Sequence, residues 1–74
     1  MNTRHLTSVV LDMALASYLS DDPDNQVRKI ARAAREKIIG KRKTEHRLLT
    51  AIINAKYPAE IAKQTYEELL KLND

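Results

Sequence analysis

The 74-residue chain carries 13 Lys and Arg, 10 Asp and Glu, no Cys and a formal net charge of +3. Disulfides and thiolate zinc sites are thereby excluded, and a domain of this size buries only about 60% of the surface its unfolded chain exposes. One Gly, two Pro and three Tyr as the only aromatics argue against a turn-rich β architecture and against an aromatic platform for stacking bases.

Ala, Leu, Ile, Lys, Arg and Glu dominate what remains, which predicts an all-α fold with self-association supplementing a small core. The first predicted helix spans about residues 3–19, with Asn2 or Thr3 able to cap it through a short side-chain oxygen. Between Leu6 and Leu19 the only formal charge is Asp12. At about 100° per residue, Leu6, Val9, Val10, Met13, Ala16 and Ser17 gather on one side, and Leu11, Leu15 and Tyr18 on the other. A helix apolar on both sides is buried all round or pressed against a partner, because exposed apolar surface costs free energy in water. The stretch has about 14 residues where a membrane span needs about 20, and Asp12 interrupts it. Met1-Asn2-Thr3-Arg4-His5 and Ala14-Leu15-Ala16 imitate a leader and its cleavage site only weakly. It reads as the central helix of the bundle, with Leu11, Leu15, Tyr18 and Leu19 as a candidate partner or dimer interface.

Ser20-Asp21-Asp22-Pro23-Asp24-Asn25 is the strongest break in the chain. Asp22 or Ser20 can cap a second helix over about 23–39, with Pro23 at its first position, where a missing N–H costs nothing. Asp21, Asp22 and Asp24 then sit at the positive end of that helix's dipole. They do not make a calcium loop: counted from Asp22, the sixth residue is Val27 and not Gly, and the twelfth is Ala33 and not Glu. Val27, Ile30, Ala31, Ala34 and Ile38 recur at the spacing of one core-facing stripe. Arg28, Arg32 and Arg35 form a second stripe beside it, and Gly40 stands where a left-handed residue would end the helix.

Thr44 can cap a third helix over about 44–56, with Glu45 in its first turn, Leu48, Leu49, Ile52 and Ala55 toward the core and Ile53 at the edge. Tyr57-Pro58 interrupts this run, since Pro disfavours helix in the residue before it and suits a first helical position. A fourth helix over about 58–72 follows, or the third continues with a kink at Pro58. Its inner face is Ile61, Ala62, Thr65, Leu69 and Leu72, while Lys63, Glu67 and Lys71 pair along the outer one.

Charge is segregated along the chain. Residues 1–27 hold Arg4 against Asp12, Asp21, Asp22 and Asp24, whereas residues 28–47 hold nine bases against Glu36 and Glu45. Of those nine, Arg28, Arg32, Arg35, Lys41, Arg42, Lys43 and Arg47 form a candidate nucleic-acid-binding set, because clustered cations bind phosphate backbones by releasing condensed counterions, whatever the base sequence. The competing reading is a solvated face or the complement of an acidic protein. Helices two and three, joined around Gly40, have helix-turn-helix lengths, yet Lys41-Arg42-Lys43 is no specific signature of that motif. His5 and His46 have no carboxylate at helical spacing, and there is no His-x3-His pair, Gly-rich phosphate loop or nucleophile elbow. His46, beside Arg42, Lys43 and Arg47, reads as a further donor to an anion or as simply exposed. Neither an enzyme nor a cofactor or metal site is expected.

The sequence thus predicts a single cytoplasmic domain over residues 1–74, an all-α bundle of four short helices, or three with the last kinked at Pro58, assembled as a homodimer. Its expected function is that of a small regulatory or accessory protein contacting DNA or RNA electrostatically through the basic set. The alternative is a protein-interaction module, an adaptor or inhibitor, that acts through Leu11, Leu15, Tyr18 and Leu19 and touches neither nucleic acid nor membrane.

Overall fold

The computed structural model describes residues 3–38 and 43–72, residues 3–6 by their backbone alone. Among them the chain forms four helices and no strand: α1 (Thr3–Leu19), α2 (Pro23–Lys37), α3 (Lys43–Asn54) and α4 (Pro58–Leu72). Asn2, Ile39, Gly40, Lys41 and Arg42, and the side chain of Leu6, lie outside the described residues.

Local chemistry explains the breaks. At the start of α2 the Ser20 hydroxyl accepts the Asp22 N–H at 3.1 Å, and the Asp22 carbonyl accepts the Gln26 N–H at 3.1 Å. Asp22 is therefore the N-cap residue by its backbone, without a side-chain capping bond, and Pro23 follows at the first helical position. The other end of α2 comes two residues before its expected place. There Ile38 is extended, with φ −85° and ψ 118°, and its side chain packs half-buried against the core instead of continuing the helix. Because α3 already begins at Lys43, Thr44 lies in its first turn and is not its cap. Residues 55–57 separate α3 from α4 outright, so the kinked three-helix alternative does not form. The Tyr57 carbonyl opens α4 by accepting the Glu60 and Ile61 N–H groups at 3.2 and 3.4 Å.

The core gathers Val9, Val10 and Met13 of α1, Val27, Ala31 and Ala34 of α2, Leu49, Ile52 and Ile53 of α3, and Ala59 and Ala62 of α4. The expected stripe of α2 is all there, with Ile30 and Ile38 half-buried at its margin. Ile53, placed at an edge by its spacing, is buried, as is Ala14 on α1. Leu72 is the clear departure: it is 81% exposed, whereas Leu69, three residues earlier, still packs against the core.

Ala31 and Ala34 of α2 and Ala59 and Ala62 of α4 are all core residues, and small side chains let helix backbones approach closely. The arrangement is flattened, 34 × 30 × 16 Å in extent. Here α2 and α4 touch across the short diagonal, whereas α1 and α3, each packed on both of them, scarcely meet. The expected central position for α1 is thereby corrected. It lies at an edge of the slab, held by α2 and α4 on one side only, and its second apolar face stays uncovered.

One end of the slab is tied by polar groups projecting from α2. Asp24 Oδ1 accepts the Ala59 N–H at 3.0 Å, satisfying an amide in the first turn of α4. One turn further on, Arg28 donates from Nε to the Ile53 carbonyl at 3.2 Å and from Nη2 to the Ala55 carbonyl at 2.7 Å, closing the C-terminus of α3. Asp24 and Arg28 are four residues apart on one helix face, so a carboxylate reaches amides and a guanidinium reaches carbonyls on either side of the same turn. The Ser17 hydroxyl shares its proton between the Met13 carbonyl at 2.9 Å and the Ala59 carbonyl at 3.2 Å, bringing the end of α1 to the same corner. Asp24→Ala is expected to lower the free energy of unfolding by about 1 kcal/mol, the usual value of a lost helix N-cap. Asp24→Asn, which keeps an acceptor oxygen, should lose less. Urea denaturation followed by circular dichroism measures both.

Candidate functional site

The exposed surface has an apolar face and a basic one. The apolar one begins on α1, where Leu11, Leu15, Tyr18 and Leu19 are 39%, 47%, 61% and 80% exposed. Leu11, Leu15 and Tyr18 follow the i, i+4, i+7 spacing of a single stripe. Antiparallel packing with α4 extends it. Ser17, near the end of α1, bonds Ala59 at the start of α4, and the Tyr18 ring lies 5.7 Å from Lys63 Nζ. Tyr18 to Leu11 is seven residues back along α1, and Lys63 to Leu70 is seven residues forward along α4. Seven residues restore nearly the same azimuth after about 10 Å of rise, so Leu11 and the exposed Leu70 lie on the same side of the helix pair. Lys63 also meets Glu60 Oε2 at 3.1 Å, and this hydrogen bond and charge hold its ammonium above the ordinary lysine pKa of 10.5, with Tyr18 and Glu67 adding to the shift. A raised lysine pKa carries stability that is present below about 10.5 and is lost as pH rises past it. The cation beside Tyr18 is therefore in place throughout the neutral range.

The basic set is divided by the fold. Arg28 serves the end of α3, and Arg35 donates from Nη1 to Thr50 Oγ1 at 3.3 Å, tying α2 to α3. Arg32, between them in the stripe, is exposed, as are Lys43 and Arg47; Lys41 and Arg42 lie outside the described residues. Arg28 and Arg35 stand three residues before and four after the buried Ala31, which puts them on the flank of the core face. Arg32 follows Ala31 directly and points some 100° away. That spacing is the signal that separates bonding arginines from a solvated one, and reading the three as one stripe overlooks it.

At the start of α3, Lys43, His46 and Arg47 stand together with Ile38 around an open cleft of about 400 Å³. All three polar side chains are exposed, and the ion pairs seen among the described residues, Lys63 with Glu60 and Lys71 with Glu68, lie on α4. Glu45, the acid nearest to them in sequence, is buried.

No family model, curated protein or solved structure matches the chain.

Among the described residues no group of three or more His, Cys, Asp and Glu could hold a metal ion, and no helix is long and apolar enough to cross a membrane.

Proposed function

We propose that the protein is a non-catalytic, cytoplasmic interaction module that assembles as a homodimer through the outward face of α1 and its continuation on α4. One observation carries this reading: large apolar side chains of α1 and α4 are exposed, although alanines hold four positions of the core. Ala31, Ala34, Ala59 and Ala62 occupy the core, while Leu11, Leu15, Tyr18, Leu19 and Leu70 are exposed. Burying a large apolar side chain contributes about 1.5 to 3 kcal/mol, and here that contribution is left for a second burial step.

A second copy suits the surface. On α1 the stripe is apolar, and on α4 its continuation carries Lys63 and Glu67 as well as Leu70 at the same i, i+4, i+7 spacing, so two-fold pairing of the same patch can set opposite charges against each other. A stable interface of about 800 Å² per partner would take about a seventh of the 5374 Å² surface. The experiment is an isotope-filtered nuclear Overhauser measurement on an equimolar mixture of labelled and unlabelled protein. Contacts between copies are expected at the methyl groups of Leu11, Leu15 and Leu70; contacts elsewhere, or none, would refute the proposal.

A second reading, electrostatic contact with DNA or RNA, is favoured by the exposed Arg32, Lys43 and Arg47, the last two sharing a cleft with His46. Titration of a short oligonucleotide at low and at moderate salt tests it. Binding that weakens steeply with salt supports it, and no binding at low salt removes it.

A further inference from the structure

Lys43, His46 and Arg47 occupy positions i, i+3 and i+4 of α3, which brings three nitrogen donors of different kinds onto one patch of helix. A face that is merely solvated needs no hollow, yet these three line an open cleft of about 400 Å³ whose wall includes the half-buried Ile38. None of the three is tied by an ion pair among the described residues. Arg35 and Arg28 of α2, by contrast, are bonded to Thr50 and to the end of α3, so the fold separates cations that hold the structure from cations turned to solvent.

We propose that this cleft is a binding site for a phosphate group. The guanidinium of Arg47 offers a planar fork that matches two phosphate oxygens, the Lys43 ammonium supplies a compact point charge, and the His46 ring supplies a third N–H. A cleft of about 400 Å³ exceeds one phosphate and leaves room for the group that bears it, within the range usual for small-molecule sites. The phosphate comes either from a nucleic-acid backbone, in which case the site deepens the second reading above, or from a free phosphorylated molecule. Association through α1 is independent of both.

The test is a ¹H–¹⁵N NMR titration of the full chain with inorganic phosphate and, separately, with a 12-nucleotide oligothymidylate at low salt. Saturable shifts concentrated at Ile38, Lys43, His46 and Arg47 are expected with phosphate. Lys43→Glu/Arg47→Glu should weaken binding at least tenfold, whereas Lys29→Glu, an exposed charge reversal outside the cleft, should change it less than twofold. Circular dichroism checks that both variants keep the wild-type helix content, and Lys43→Gln/Arg47→Gln replaces the double reversal if that variant unfolds. If the oligonucleotide produces the same shifts and the same variant sensitivity, the backbone is the source. If phosphate binds there and the oligonucleotide does not, the cleft stands as a site for small phosphorylated molecules and the nucleic-acid reading falls. Oligonucleotide binding that ignores the double variant, with no saturable phosphate shift at the cleft, overturns the cleft and leaves that reading intact. Equal loss in Lys29→Glu and in the double variant, or no saturable shift with either ligand, also overturns the site.

Discussion

Leu15→Asp is expected to abolish the proposed dimer while leaving the helices intact. Leu15 sits mid-stripe between Leu11 and Tyr18 and is 47% exposed in the isolated chain, so a carboxylate there remains hydrated and costs the fold little. In the dimer the same carboxylate is present twice, and each copy loses water without gaining a partner. Burying a polar group without a hydrogen bond costs about 2 kcal/mol or more, so the pair costs about 4 kcal/mol, which is about a thousandfold in the dissociation constant. Leu15→Ala removes only apolar area and should weaken association by about tenfold to a hundredfold. Size-exclusion chromatography with light scattering over a hundredfold range of concentration distinguishes these outcomes. A Leu15→Asp variant that associates as the wild type does would show that the stripe lies outside the interface.

The second large effect is expected at Arg28. Its guanidinium supplies donors to both the Ile53 and the Ala55 carbonyls, and hydrogen bonds from a charged donor contribute about 1.5 to 3 kcal/mol. Arg28→Ala should therefore lower the free energy of unfolding by about 2 to 3 kcal/mol and the melting temperature by about 10 °C or more for a domain of this size. Arg28→Lys keeps the charge but cannot present the two-pronged fork, so it should lose about half as much. The lysine variant discriminates between roles, since a residue serving only to attract phosphate would tolerate it with no loss of stability. Unchanged melting for both variants would contradict the structural role.

What could be read in the residue pattern, and what could not, follows from the kind of interaction involved. Burial leaves a period: Val27, Ala31 and Ala34 announce the inner face of α2, and the double-sidedness of α1 is visible in Leu11, Leu15 and Tyr18 opposite Val9, Val10 and Met13. A period identifies faces and does not say which helix covers which. The expectation of a central α1 failed for that reason: α2 and α4 cover one side of it, α3 scarcely meets it, and Leu11, Leu15 and Tyr18 stay exposed. Hydrogen bonds to backbone leave no period at all. Asp24 reads as a charge at the start of its own helix, and only the fold shows it accepting the Ala59 N–H of another. Arg28 and Arg35 likewise read as members of a basic stripe, although their spacing from Ala31 already sets them beside the core. Leu72 follows the inner-face pattern of α4 but outruns the core it was expected to join, since periodicity contains no information on where a neighbouring helix stops.

The basic and apolar surfaces fall on different parts of the fold. Lys43, His46 and Arg47 stand where α3 begins, near the end of α2, whereas the stripe runs along α1 and α4. The proposed dimer would carry two of the proposed clefts, and two linked sites gain affinity for a ligand long enough to span them without any new contact.

Sedimentation equilibrium of the wild-type chain, at protein concentrations from about ten micromolar to about a millimolar, tests the central claim most directly. Association through α1 predicts a mass that rises from 8.5 kDa toward twice that value and goes no further, as a closed two-fold pair requires. A single mass of 8.5 kDa across the whole range would contradict it.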